Sequence, residues 1–220
     1  EEVIDVVQFI TLDHHFTGKS FRPVVDCKHG TAGGIWTTIF NEMHLTDYTL
    51  LHKDPLSNFG GIETNPTKTE HLEEMRKEIK AKKSKIGIAN DPDADRHVIL
   101  DEQGNLVSPE IIAVIIMDFL MEFGPNLYGV ATTVASSMII KKAATMMDVK
   151  YIETPVGFKY FAPFLEESYD NGLMGIAVES SGGLSLSVHT LEKCGFIPGV
   201  FIMYIMAKNN ALLSTLVEDI

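Results

Sequence analysis

The stretch Ile86-Gly87-Ile88-Ala89-Asn90-Asp91-Pro92-Asp93-Ala94-Asp95-Arg96-His97-Val98-Ile99-Leu100 decides the fold class and locates the chemistry. A short apolar run climbs to Ala89, three carboxylates follow at alternate positions, and a second apolar run leaves. Apolar runs of this length, bounded by turn residues, predict strands. Pro92 fixes its own φ and offers no N–H, so the acidic segment is expected to be a loop at a strand end. Carboxylates at alternate positions of a tight loop can converge on one point. Such a cluster is costly without a counter-ion, because neighbouring anions raise one another's pKa. A divalent cation removes that cost, and oxygen-only ligation favours Mg²⁺ or Ca²⁺ over zinc. Asp91, Asp93 and Asp95 are therefore candidate metal ligands, and the fixed positive charge of Arg96 suits a phosphate nearby.

Three readings compete for this loop. The first is a solvated acidic turn, the usual fate of a charge run. The second is an EF-hand, since Asp91, Asp93, Asp95 and Glu102 fall at positions one, three, five and twelve of such a loop. Position six would then be Arg96 where glycine is required, and the flanks are strand-like rather than helical, so this reading fails. The third is a catalytic Mg²⁺ loop: Asp91-Pro92-Asp93-Ala94-Asp95-Arg96 resembles the metal-binding loop of the α-D-phosphohexomutases, the phosphoglucomutase/phosphomannomutase family.

Composition bounds the alternatives. The 220 residues are 45% hydrophobic and 22% charged, a globular composition with room for one large core or two ordinary domains. A formal net charge of −12 argues against broad nucleic-acid binding, which needs an excess of Lys and Arg. Cys27 and Cys194 lie far apart without metal-ligand spacing, which predicts two thiols in a reducing, cytoplasmic compartment. The apolar run Ile111–Met117 is followed too soon by Asp118 and Glu122 for a membrane helix, and no signal-peptide pattern is present.

Taken in order, the chain opens Glu1-Glu2-Val3-Ile4-Asp5-Val6-Val7 without methionine, as if entering mid-pattern from a longer protein. Phe21–Asp26 reads as a buried strand, Cys27–Gly34 as a glycine-rich turn, and the segment from Ile35 to Met43 as a helix. That turn fits neither the P-loop nor the dinucleotide fingerprint, so tight-turn geometry is its expected role. A strand over Asp47–His52, a loop over Asp54–Pro66 and an exposed, charge-rich helix over Thr67–Lys83 precede the acidic loop. Asp101–Asn105 reads as a hairpin turn, and Ser108-Pro109-Glu110 as a helix start with Ser as N-cap. The domain boundary is expected there, giving units 1–107 and 108–220. The second unit repeats the alternation: strands over Tyr128–Thr133, Lys150–Glu153, Met174–Glu179 and Leu184–Val188, helices over Ser136–Met147, Tyr160–Tyr169 and Ile197–Ala207. The expected class is α/β, two similar three-layer domains, each a mixed sheet of about four strands packed with helices.

Two further segments strengthen the resemblance. Thr154-Pro155-Val156-Gly157-Phe158-Lys159 resembles the loop that ends a strand of the third phosphohexomutase domain, and Glu179-Ser180-Ser181-Gly182 resembles the family's sugar-binding Glu-x-Ser-Gly loop. All three motifs stand in family order. The resemblance implies domains 2 and 3 of a four-domain enzyme that interconverts hexose 1- and 6-phosphates through a phosphoserine and a bisphosphate intermediate. It implies that Asp91, Asp93 and Asp95 hold Mg²⁺, that Arg96 neutralises charge near the phosphoserine, and that Glu179 and Ser181 bind sugar hydroxyls. Thr154 and Gly157 join them as substrate-binding candidates, and Lys159 is a candidate for phosphate contact or proton transfer. The implied partners are a glucose or mannose phosphate and the missing domains 1 and 4.

Two departures qualify this expectation. No Thr-Ala-Ser-His-Asn-Pro-like segment, which in the family carries the phosphorylated serine, occurs in the sequence, and neither does the family's C-terminal phosphate-binding loop. Ser136 and Ser137 sit at a strand-to-helix junction, where capping is expected instead. Glu192-Lys193-Cys194-Gly195 carries Cys194 where the family has Asp. The chain alone is thus expected to be inactive. One rival is a non-catalytic metal- or sugar-phosphate-binding module. A phosphatase of the haloacid dehalogenase type is disfavoured, because its motif needs Thr or Val where this chain has Asp95.

Overall fold

The computed structural model describes residues 21–123 and 127–220; the opening segment Glu1–Val7 lies outside the described residues. Among the described residues nine strands form two separate mixed sheets. The first takes β1 (Val24–Asp26), β2 (Thr49–Leu51), β3 (Gly87–Asn90), β4 (His97–Leu100) and β5 (Leu106–Val107) in the order β2-β1-β3-β4-β5. The second takes β6 (Leu127–Thr133), β7 (Lys150–Thr154), β8 (Met174–Val178) and β9 (Leu184–Leu186) in the order β7-β6-β8-β9. In each, three parallel strands are followed by an antiparallel one. The same plan is therefore built twice, and the first sheet adds a two-residue edge strand to the expected four.

Alternation along the strands explains the layers. On the first sheet Val25, Ile88 and Ile99 face one way, into a core with Trp36, Ile39 and Phe40 of helix α1 (Ala32–Glu42). Val24, Ala89, Val98 and Leu100 face the other way, onto Met75 and Ile79 of α2 (Glu73–Lys82). On the second sheet Val130, Ile176 and Val178 join the first core with α3 (Pro109–Phe123) and α4 (Met138–Met146). The reverse face packs Ala131 and Ala177 on Phe161, Phe164 and Leu165 around α5 (Ala162–Asp170). Both sheets are thus covered on both faces, as strands with continuous burial require.

Helix boundaries shift by a turn where propensity and packing compete. The charged segment after Thr67 opens with a 3-10 turn, Thr69–Leu72, before α2 begins. Likewise Phe158–Phe161 is a 3-10 turn leading into α5. Ser137 caps α4, its Oγ accepting from the Ile139 N–H at 3.4 Å, whereas the Ser136 hydroxyl lies 3.3 Å from Thr133 Oγ1 and does not cap the helix. Ser108 plays the same part for α3, its Oγ accepting from Ile111 N–H at 3.3 Å. In the glycine-rich turn the left-handed residues are Lys28 and His29, not the glycines. Gly30 is needed for another reason: a Cβ there would run into the main chain of Pro92.

One helix joins the two sheets. In α6 (Ile197–Asn209) every residue from Ile197 to Ala207 is buried, and a helix apolar all round has to be enclosed on all sides. It packs on α3, β4 and β9, touching both sheets. A final short helix, α7 (Leu213–Glu218), which periodicity did not announce, ties back to the first half through Ser214 Oγ, 2.5 Å from Glu102 Oε1. No helix among the described residues is long and apolar enough to cross a membrane.

At Gly199 α6 is closely packed, since a Cβ there would stand 2.7 Å from Ile88 Cδ1 and 3.0 Å from the Trp36 ring. Gly199→Leu is expected to destabilise the chain by about 1–3 kcal/mol, the usual cost of overfilling a packed core. Denaturant titration checks this, and an unchanged midpoint would mean that α6 is not wedged against the first sheet.

Candidate active site at the junction of the two sheets

The acidic loop, residues 91–96, connects the antiparallel strands β3 and β4. Ala94 adopts a left-handed φ of 58°, and its N–H donates to Asp91 O at 3.0 Å, which folds the loop back on itself. Asp91, Asp93 and Asp95 are thereby gathered, each offering a carboxylate oxygen within 4.8 Å of the others. Asp91 is buried, Asp95 half-buried and Asp93 exposed. The donors are all hard oxygens, and the spacing suits a shared divalent cation, so the residues fit the Mg²⁺ that the motif implies.

Two cations already lean on this cluster. Arg96 Nε bonds Asp91 Oδ2, its backbone N–H donates to Asp91 Oδ1 at 3.1 Å, and Nε also stands 3.6 Å from Asp95 Oδ1. Lys193 Nζ lies 2.7 Å from Asp95 Oδ2. Burial pushes the Asp91 carboxyl above its ordinary 3.8; the Arg96 bonds oppose this, and the Asp95 charge reinforces it. At Lys193 burial is the largest single influence and works against the charge, but the bond to Asp95 and the nearby charges of Asp95, Glu192 and Glu179 together outweigh it and hold the ammonium above its ordinary range. Lys193 belongs to the Glu192-Lys193-Cys194-Gly195 segment, but is not among the candidate site residues. Only the fold brings it to a carboxylate far away along the chain.

The loop is gripped from both halves. Pro92 O accepts from Thr31 N–H at 2.8 Å and from Thr31 Oγ1 at 3.2 Å, so the glycine-rich turn supports it from behind. On the other side Arg96 and Gly183 form a lone antiparallel bridge, His97 N–H donates to Gly182 O at 2.9 Å, and Gly195 N–H donates to Ala94 O at 3.0 Å. Gly182 is at φ 97°, and any Cβ would strike the His97 carbonyl, so glycine is obligatory there. The loop after β8 is itself a closed turn: Gly182 N–H donates to Glu179 O at 3.0 Å and Glu179 N–H to Gly183 O at 2.8 Å. Ser181 Oγ donates to Glu179 Oε2 at 3.3 Å, placing a hydroxyl beside a carboxylate.

The structure thus brings Asp91, Asp93, Asp95, Arg96, Glu179 and Ser181 into one region. The remaining candidates stand apart, at the carboxyl end of the edge strand β7. Thr154 is buried and its hydroxyl is turned onto main-chain carbonyls, 3.0 Å from Pro155 O and 3.5 Å from Thr132 O. Gly157 provides a left-handed turn at φ 132°. Lys159 is exposed, its ammonium 5.1 Å above the Tyr160 ring. Strands β6, β7 and β8 are parallel, so all three residues share a sheet end with Glu179.

Two family models match the chain. Residues 4–104 match the family model described as phosphoglucomutase/phosphomannomutase, alpha/beta/alpha domain II, and residues 108–220 match the corresponding domain III. The phosphoglucosamine mutase of Carboxydothermus hydrogenoformans is 31% identical over 95% of this chain and 45% of its own length. Phosphoglucomutase-2 of Paramecium tetraurelia is 30% identical over 95% of this chain and 39% of its own. The crystal structure of the Paramecium phosphoprotein parafusin, a phosphoglucomutase, superposes with a TM-score of 0.78 at 30% identity, covering 98% of this chain and 38% of that one. The fold also matches the Aspergillus fumigatus N-acetylphosphoglucosamine mutase in complex with GlcNAc-6P and magnesium, with a TM-score of 0.71, 13% identity, and coverage of 99% of this chain and 52% of that one. The chain spans less than half the length of the curated relatives named here.

Proposed function

The chain belongs to the phosphoglucomutase/phosphomannomutase family, and from that premise we propose that its 1–107 and 108–220 units are the metal-binding and sugar-binding centre of a cytoplasmic phosphohexomutase. One observation carries this reading: the acidic loop and the Glu179–Gly183 turn, from opposite halves, are stitched together by the Arg96–Gly183 bridge. A phosphate held at the first loop would lie beside a sugar held at the second, as transfer to a hexose hydroxyl requires. Each phosphoryl transfer, from the phosphoserine to the sugar and back, depends mainly on positioning and charge neutralisation. Asp91, Asp93 and Asp95 would hold Mg²⁺, which supplies neutralisation of the transferring phosphate when bound.

The other residues act directly. Arg96 places a permanent positive charge at the edge of the acidic cluster, and its fork remains oriented by Asp91. Glu179 accepts from one sugar hydroxyl, and Ser181 accepts from or donates to its neighbour. Lys159 offers an exposed ammonium at the far side of the same sheet end, suited to a second phosphate, and Gly157 shapes the turn that presents it. Thr154 contributes by fixing that turn to β6. The substrate would be a glucose or mannose phosphate, with the phosphoserine supplied by the part of the enzyme that corresponds to the relatives' remaining length.

Turnover measurements test the assignment. The 220-residue chain with Mg²⁺, glucose 1-phosphate and glucose 1,6-bisphosphate is expected to give no product above a protein-free blank, because it encodes no phosphoserine segment. The full coding region is expected to give glucose 6-phosphate. Turnover by the short chain would overturn the two-unit reading.

A further inference from the structure

We propose that Asn90 is a positioning residue that locks the acidic loop to the Gly195 segment of the second half. Cation binding by Asp91, Asp93 and Asp95 then depends on a contact made across the two halves, an inference that rests on the metal-binding role given above. Asn90 is the last residue of β3 and is wholly buried. Its Oδ1 accepts from Trp36 Nε1–H at 2.7 Å, while Nδ2 donates to Arg96 O at 3.0 Å and to Gly195 O at 3.0 Å. An indole N–H can only donate and main-chain carbonyls can only accept, so a single orientation of the carboxamide satisfies all three. A carboxamide has two donors and two lone-pair positions, and three of these four places are used in a site closed to water.

Those three bonds do separate things. The bond to Arg96 O closes the ring of residues 91–96 at its far end, and the Arg96 N–H held there is the one that positions the Asp91 carboxylate. The bond to Gly195 O ties that ring to the second half, and Gly195 N–H answers by donating to Ala94 O at 3.0 Å. Two residues earlier, Lys193 is set 2.7 Å from Asp95. The bond from Trp36 anchors the clamp in the helix beneath, where the Trp36 ring also meets Phe196 edge-on at a centroid distance of 5.5 Å. A residue that merely filled the core would need none of this. An apolar side chain of similar volume would pack there and leave the two carbonyls unpaired.

Two substitutions attack the clamp from opposite sides. Asn90→Asp keeps shape and the acceptor for Trp36 but sets a carboxylate oxygen against two carbonyl oxygens. Gly195→Ala brings a Cβ to 2.5 Å from both Arg96 O and Asn90 Nδ2 without touching the first half's sequence. The 220-residue chain and both variants are titrated with Mn²⁺, read by electron paramagnetic resonance, and folding is checked by circular dichroism. Both folded variants are expected to bind at least tenfold more weakly than wild type, whereas Asn105→Asp, in the turn at Asp101, should bind as wild type does. Because Trp36 is the chain's single tryptophan, its emission should respond to the cation in wild type and lose that response in Asn90→Asp. If neither variant folds, amide shifts of the wild type decide: Gly195 is expected to move on Mg²⁺ addition with the same midpoint as Asp93. A Gly195 resonance that stays still, or folded variants that bind as wild type does, overturns the coupling alone. A wild type that binds no Mn²⁺ overturns the metal-binding role, and this inference with it.

Discussion

Asp93→Asn is expected to abolish the stabilisation that Mg²⁺ gives the chain. A ligand that binds only the native state stabilises it by about 2.7 kcal/mol at a hundredfold excess over its dissociation constant. Asn keeps the size of the side chain and one oxygen but removes the charge that holds a hard divalent ion. Asp93 is exposed, so without cation the substitution should change stability by no more than about 0.5 kcal/mol, as surface changes do. Melting curves with and without Mg²⁺ separate the two effects, and equal Mg²⁺ responses from wild type and variant would exclude the loop as the site. Acid should weaken the response as well. Asp91 titrates above its ordinary 3.8 because burial disfavours its charge, so protons compete with the cation as the pH falls toward that raised value. In the metal-free chain the sign is opposite. Between 3.8 and the raised value the native state holds a proton that the unfolded state has released, so this group adds stability as the pH is lowered through that window.

Glu179→Ala is expected to cut kcat/KM of the full-length enzyme roughly tenfold to hundredfold, matching the loss of a charged hydrogen bond of about 1.5–3 kcal/mol to a substrate hydroxyl. The melting temperature should hardly move. The Glu179 carboxylate is only half-buried and receives the Ser181 hydroxyl at 3.3 Å, while the turn itself is closed by main-chain bonds that alanine keeps. Added Mg²⁺ should not rescue this variant, since the defect lies on the sugar side, whereas it can partly rescue a weakened metal ligand. Loss of folding, or unchanged turnover, would make the turn purely structural.

The parts of this protein that its sequence determined are those written in contiguous residues. Alternate carboxylates around Pro92, flanked by apolar runs, specify a loop between two strands because side-chain alternation and a fixed φ act over a few residues. The two-sheet α/β plan follows from the same local periodicities, as do the caps at Ser108 and Ser137. Local pattern could not set the starts of α2 and α5, where a 3-10 turn competes on nearly equal terms. Nor could it show that Thr154 turns its hydroxyl inward, since that depends on the neighbouring strand. The tertiary structure alone decided which groups meet. Lys193 on Asp95, Asn90 on Gly195, Gly182 under His97 and α6 between the sheets all join residues far apart in the chain. Such pairings arise because an all-round apolar helix has to be enclosed from both sides, and enclosing it brings the two loops to one place.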